Sequence, residues 1–267
     1  MEKLTKTNQS VEKTLQIVEV MAAAREPLRL ADIAGQVKMP ASTTLRMVNT
    51  LVQKGYARQE PDTLRYRLTL KFARIGSLVS AQLSIRDVAR PVLLSLSDQF
   101  QESACLAIEE DMRVIYVDVV DGPDGMLKIT QRIGKRAPMH CTGVGKLMLT
   151  QYTPAELREL VRAKGLVSLT PNTLVTLEAL ERELQAVRAR GYAMDDEECE
   201  LGARCVAAPI RNYEGRVVAA ISLSGPVSRM HPRRIEEIAP SLMAAARGIS
   251  EVLAGPGTPS LVRAELP

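Results

Sequence analysis

Apolar residues recur along this chain with two periods, one near 3.6 residues and one of 2, and the switches between them outline the elements. Val11, Leu15, Val18 and Ala22 repeat at helical spacing behind Ser10, a capping type, so a first helix is expected to run to about Ala24 with that stripe inward. Pro27 bars its continuation. Leu30, Ile33, Ala34 and Val37 mark the inward face of a short second helix. Beyond Lys38-Met39-Pro40, Leu45, Val48, Leu51 and Val52 mark a third, with Ser42 expected at its N-cap and Gly55 just past its end. The period then drops to 2: residues 56–60 and 64–68 alternate in polarity around Pro61-Asp62-Thr63, the pattern of a β-hairpin. From Leu68 the helical period returns through Phe72, Ile75 and Val79, which reads as a linker helix with an apolar stripe able to pair two subunits. Val88, Val92, Leu96 and Phe100 place another helix from about Ile85, where Pro91 predicts a late start or a kink.

Strands follow. Residues 103–109 and 113–120 are β-rich around Glu110-Asp111-Met112, a hairpin, and 126–132 is a third strand candidate after the loop 121–125. Residues 134–141 look irregular. A short helix is expected over Thr142–Thr150. Thr153-Pro154-Ala155-Glu156 has the form of a capping box with proline at the first helical position. A longer helix over Thr176–Arg190 stops at Gly191, and strands 203–211 and 217–223 flank the turn 212–215. A last helix spans Pro232–Leu253, with a kink expected at Pro240. Strands flanked by helices at both ends give an α+β class with an antiparallel sheet, and not a doubly wound one. The expected organisation is a winged helix-turn-helix over 8–69, a linker helix over 70–84, a sheet domain over 85–255 and a disordered tail over 256–267.

Composition narrows the function classes. Of 267 residues 46% are hydrophobic, a globular value, and no apolar run approaches a membrane span. The amino terminus lacks a signal-peptide core, so a soluble, cytoplasmic protein is expected, with no membrane partner. Four cysteines in so long a chain imply reduced thiols, not a disulfide framework. The net charge of +4 is unevenly placed: residues 1–67 hold 11 Lys and Arg against 7 Asp and Glu, and the remainder is balanced. The excess therefore lies on the helix-turn-helix, as a nucleic-acid footprint requires. Aromatics at 3% with no Trp argue against stacking platforms for single strands.

The third helix carries the chemistry of that footprint. Ser42, Thr43, Thr44, Arg46, Asn49, Thr50 and Gln53 are polar and none is acidic. Short hydroxyls, an Arg and an amide can bond phosphate oxygens and base edges in a major groove. An ordinary solvated helix face has the same composition; the tight helix-helix connection before it and the hairpin after it favour a recognition helix and wing. Arg58, Arg65 and Arg67 would reach the DNA backbone from the wing.

Two later segments look chemical. Pro138-Met139-His140-Cys141-Thr142-Gly143-Val144-Gly145-Lys146 opens a helix with free amides, an anion-binding geometry, though without Walker spacing. Asp195-Asp196-Glu197-Glu198-Cys199 leads to Ala203-Arg204-Cys205, and Ser222 and Ser224 share one strand face. These motifs, with the winged helix-turn-helix, make residues 8–255 resemble the IclR family of bacterial transcriptional regulators. The resemblance implies a GAF-like C-terminal effector domain, homodimers formed largely through the N-terminal part, frequent tetramers, and organic, sugar or aromatic acids as effectors acting on a double-stranded operator. It also implies an effector pocket of Gly143, Val144, Asp195, Ala203, Cys205, Ser222 and Ser224, with Met126 and Ile129 on its apolar side.

Two other classes stay open at this level. Cys141 beside His140 suggests a cysteine-dependent enzyme built on the C-terminal domain, yet neighbours in sequence rarely meet as nucleophile and base. Cys141, Cys199 and Cys205, with His140 or Asp195, have the chemistry of zinc ligands, but their spacing is not that of a zinc knuckle. The expectation is no catalytic residue and no cofactor, with zinc as the one possible metal.

Overall fold

The computed structural model describes residues 8–80, 84–122 and 131–254. They fall into two compact units that part between Gln82 and Leu83. The first contains α1 (Gln9–Ala23), α2 (Leu30–Gln36), α3 (Ala41–Gln53), the hairpin β1 (Ala57–Gln59) and β2 (Tyr66–Leu68), and α4 (Lys71–Ser80).

Asn8, and not Ser10, caps α1: its Oδ1 accepts from the Ser10 and Val11 amides at 3.0 and 3.3 Å. The buried face is also displaced from the expected one. Ile17 and Met21 join Ile33, Val37, Val48, Leu51 and Tyr66 in the core, while Val11 and Leu15 are each 55% exposed. α1 carries two apolar stripes of helical spacing, and its packing on α2, α3 and β2 selects the one that periodicity alone could not. Pro40, not Ser42, is the N-cap of α3, and no side chain bonds the first amides. Gly55 closes α3 at φ +74°, with its own amide on Val52 O and the Tyr56 amide on Leu51 O at 2.9 and 2.8 Å. Only glycine takes that left-handed turn without strain.

In the wing, Arg58 stands opposite Arg67 and Gln59 opposite Tyr66. Leu28 adds a bridge that the sequence pattern did not announce, exchanging backbone hydrogen bonds with Tyr66 at 3.0 and 2.8 Å. α4 starts firmly on this frame. Thr69 Oγ1 donates to Gly55 O at 2.6 Å, and Lys71 Nζ donates to Lys54 O at 2.7 Å while lying 4.1 Å from the Tyr56 ring centre. An ammonium at the carbonyl end of α3 also meets that helix's negative pole.

The second unit runs α5 (Ile85–Phe100), β3 (Ser103–Glu110), β4 (Arg113–Val120), β5 (Arg136–Ala137), α6 (Gly143–Leu149), α7 (Pro154–Lys164), α8 (Leu177–Arg190), β6 (Ala193–Asp196), β7 (Ala203–Arg211), β8 (Val217–Pro226) and α9 (Pro232–Ala254). Its antiparallel sheet has the order β5-β4-β3-β8-β7-β6. The β3–β4 hairpin turns on Asp111 and Met112, both at positive φ, the mirror-image turn that suits strand twist. α7 has the capping box read from its sequence, with Thr153 and Glu156 bonded reciprocally. α5 and α9 run through Pro91 and Pro240, both on the exposed side where water can take the carbonyl each proline leaves unpaired.

Strand alternation sends side chains to two cores. Leu106, Val206, Ala208, Ile221 and Leu223 pack under α5 and α9. Cys105, Ala107, Ala207 and Ala220 pack with α6 and α8 on the other face. Two strands differ from the sequence expectation. β5 lies in the stretch read as irregular, and β6 lies in a segment given no strand. Both are short edges, and β5 holds on to β4 by two residues, too few to leave an alternating pattern. The third strand expected over 126–132 falls mostly outside the described residues, and Gln131 and Arg132 are in no strand.

Candidate functional site

On α3 the expected polar face divides. Ser42, Arg46, Asn49, Thr50 and Gln53 are exposed and Thr43 is half-buried. Thr44 is not available: it is fully buried and its Oγ1 donates to Pro40 O at 3.1 Å. The hydroxyl satisfied by the previous turn lets Thr44 serve as a core residue, which its polarity concealed. In the wing, Arg58 and Arg67 are exposed on one face, with Arg67 3.4 Å from Glu60. Arg65 is half-buried and donates to Pro27 O at 3.3 Å, so it buttresses the wing instead of projecting from it.

The sheet assembles most of the expected pocket residues by register. Asp195 pairs with Cys205, Cys205 with Ser224, and Ser224 with Ser103, giving one row across β6, β7, β8 and β3. The adjacent row is Ala193, Ala207, Ser222 and Cys105. Residues two apart on a strand share a face, so both rows, together with Ala203, line the side on which α6 packs. The Ser224 and Ser222 hydroxyls favour the Cys205 thiolate, though burial outweighs them. Gly143 brings α6 close: a Cβ there would stand 3.3 Å from Ala207 Cβ and 3.4 Å from Cys205 Sγ. Val144 is buried beside it, and Thr142 caps the helix through Gly145 N at 3.2 Å. Met126 and Ile129 lie outside the described residues.

Asp195 is the focus of the electrostatics. Its Oδ1 accepts from the Glu198 and Cys199 amides at 2.8 and 3.2 Å, and its Oδ2 bonds no described residue. Burial pushes its carboxyl up to about 7 despite those amides. Sequence reasoning missed what holds this turn. Lys146, 1% exposed, donates to Glu198 Oε1 at 2.5 Å and Met194 O at 2.8 Å. Glu183 lies 3.4 Å away and is shared with Arg190 at 2.8 Å. Burial also raises the Glu198 carboxyl. The lysine that ends the glycine-containing motif is thus a strut from α6 to the Asp195 turn. A lysine with no acidic neighbour in sequence carries no signal of this, because its partner lies 52 residues on.

The cysteines complete the site. Cys105 and Cys205 are pushed up to about 12 by burial, so both are thiols at neutral pH. The Cys141 thiol donates to Pro138 O at 4.0 Å, and its interaction with Cys199 raises Cys141 and lowers Cys199. Among the described residues, no three His, Cys, Asp or Glu side chains are gathered as metal ligands, so the grouping of Cys141, Cys199 and Cys205 around zinc gains no support. His140 makes no hydrogen bond to Cys141; its Nε2 is 3.1 Å from Val167 O, and burial lowers its pKa. His140 and Cys141 therefore make no nucleophile-base pair.

Comparisons with known proteins agree with both halves. Residues 10–61 match the IclR helix-turn-helix domain, and residues 78–251 match the family described as bacterial transcriptional regulator IclR C-terminal. The chain is 34% identical over 248 residues to the HTH-type transcriptional regulator XynR of Escherichia coli, covering 93% of this chain and 98% of that protein. It is 31% identical over 249 residues to the transcriptional repressor IclR of the same organism, covering 92% and 90%. The crystal structure of Thermotoga maritima IclR is similar at TM-score 0.61 and 30% identity, over 92% of this chain and 99% of that one. That of the Agobacterium tumefaciens repressor BlcR is similar at TM-score 0.72 and 26% identity, over 93% and 98%. XynR is named a transcriptional regulator, and IclR and BlcR are named repressors. A winged helix-turn-helix followed by a six-stranded sheet with α6 laid on its serine-bearing face makes this chain a member of the IclR family of DNA-binding transcriptional regulators.

Proposed function

We propose that this regulator binds a double-stranded operator through the exposed face of α3 and through Arg58 and Arg67 of the wing, and that a small organic, sugar or aromatic acid modulates that binding. The observation that carries the effector half is the paired row of Asp195, Cys205, Ser224 and Ser103 beside Ser222, all under the start of α6. Hydroxyls of Ser222 and Ser224 and the amides of Gly143 and Val144 can donate to an anionic end. Asp195 presents a free Oδ2 to the other end. Since its carboxyl titrates near 7, it can accept from a ligand hydroxyl or, protonated, donate to a ligand oxygen. Domain roles follow: residues 8–69 contact DNA, 70–84 link, and 85–255 sense.

Exposed Val11 and Leu15 on α1 form an apolar strip that a second copy would cover, consistent with a homodimer or a tetramer of such dimers. No helix among the described residues is long and apolar enough to cross a membrane, which fits a cytoplasmic regulator. The test compares operator affinity with and without effector for the wild type and the Ser222→Ala/Ser224→Ala variant. Loss of the response with unchanged affinity in the absence of effector supports the pocket, because coupling needs unequal effector binding to two states. A variant that responds at the wild-type effector concentration puts the pocket elsewhere.

A further inference from the structure

Against residues 138–140 lies a cavity of about 210 Å³ whose lining includes no residue of the Asp195 row. It is walled by Met112 after β3, Met139 before α6, Leu160 on α7 and Leu169 beyond it. Its polar groups are all basic or neutral: Arg113 at the start of β4, Lys164 at the end of α7, and the imidazole of His140. No carboxylate lines it. Neither the Arg113 guanidinium nor the Lys164 ammonium makes an ion pair or hydrogen bond with another described residue. His140 is 3% exposed, with Nε2 3.1 Å from Val167 O and no hydrogen bond from Nδ1 to a described residue. Two unpaired cations and a buried imidazole around an apolar pocket attract an anion with an apolar body, since the cations gain charge-assisted bonds while the walls take up nonpolar surface.

We propose that this cavity is a second ligand site, separate from the Asp195 pocket, that takes a compact monocarboxylate with an aromatic or short aliphatic body. The carboxylate lies between Arg113 and Lys164, and the body rests on Met112, Leu160 and Leu169. The volume sets the size: it is below the ~300 Å³ at which drug-sized sites begin, so a single ring fits and a two-ring acid does not. Arginine is the stronger anchor, because its fork can hold both carboxylate oxygens.

The probe is benzoate, titrated calorimetrically into the full-length chain. The expected dissociation constant is on the order of 1 mM, as suits so small a ligand with two charged contacts. Arg113→Met with Lys164→Met should weaken binding about tenfold or more, the loss of one or two charge-assisted bonds. Leu169→Trp, at a half-exposed position on the cavity's rim, should block binding without removing a charge. In the Ser222→Ala/Ser224→Ala background, which removes the hydroxyl donors of the Asp195 row, a benzoate isotherm that Arg113→Met/Lys164→Met weakens and Leu169→Trp abolishes should remain, so that it reports this cavity alone. The proposal is overturned by no measurable binding of benzoate, by binding that survives both the charge and the Leu169 variants, or by binding that only the serine variant removes. The last result would leave the Asp195 pocket standing as the sole acid site, and an isotherm that remains in the serine variant leaves the reading of that pocket to its own test.

Discussion

Lys146→Met should destabilise the sensing unit strongly, because the change strands a buried carboxylate. The Lys146 ammonium is 1% exposed, its Glu198 partner is 9% exposed at the side chain, and Glu198 Oε2 has no other partner. Breaking such a pair from one side costs about 3–5 kcal/mol, since the remaining charge has neither water nor counter-ion. For a unit of this size, each kcal/mol lowers Tm by about 2–4 °C, which gives a fall of about 6–20 °C in scanning calorimetry of the full chain. The deficit should grow with pH. Lys146 holds the Glu198 carboxyl down against burial, so its loss raises that carboxyl further. A carboxyl raised in the folded state keeps a proton there that the unfolded chain gives up near pH 4, so stability is lost as pH rises above that value. The variant should therefore lie closer to wild type at pH 5 than at pH 8. Lys146→Met with Glu198→Leu should recover most of the loss, because both charges go together. A single variant within about 2 °C of wild type, or a double variant no better than the single, would refute the view of Lys146 as a strut.

Arg46→Ala should cost ~1–3 kcal/mol on the specific operator and less on random DNA in gel-shift titrations, since Arg46 is exposed in mid-α3; equal losses on both would make it a phosphate contact only. Arg58→Ala and Arg67→Ala should each flatten the slope of log affinity against log salt by about 1, whereas Arg65→Ala, bonded to Pro27 O, should leave the slope and lower stability instead; a reversed pattern would contradict the orientation of the wing. For Asp195, raised to about 7 in the folded chain, stability should decline as pH rises from about 4 to 7 and level off above, by at most about 4 kcal/mol. Asp195→Asn should remove that part of the slope in denaturant titrations across the range, and an unaltered slope would assign it to other groups.

The amino-acid sequence by itself determined the elements whose signals are local. The β3–β4 and β7–β8 hairpins, the capping box at Thr153, the glycine ends of α3 and α8 and the succession of a winged helix-turn-helix and an antiparallel sheet domain were all legible. So was the family, because its motifs are strings of neighbouring residues. Edge strands were not: β5 holds two residues and β6 four, too short for alternation to stand out, and they exist because β4 and β7 offer them backbone partners.

The site was legible in its residue types and not in its arrangement. Ser222 and Ser224 announce a shared face, but their meeting with Asp195 and Cys205 is a matter of register between strands. Which stripe of α1 faces inward was decided by the hollow that α2, α3 and β2 leave, and the same packing took Thr44 out of the exposed polar face of α3. Lys146 reaches Glu198, Arg65 turns to Pro27 O, and Arg113 and Lys164 meet around a cavity. Each of these pairings joins residues tens of positions apart. Periodicity reports how a segment could bury itself, and only the assembled neighbours decide which polar group finds a partner and which is left free to bind something else.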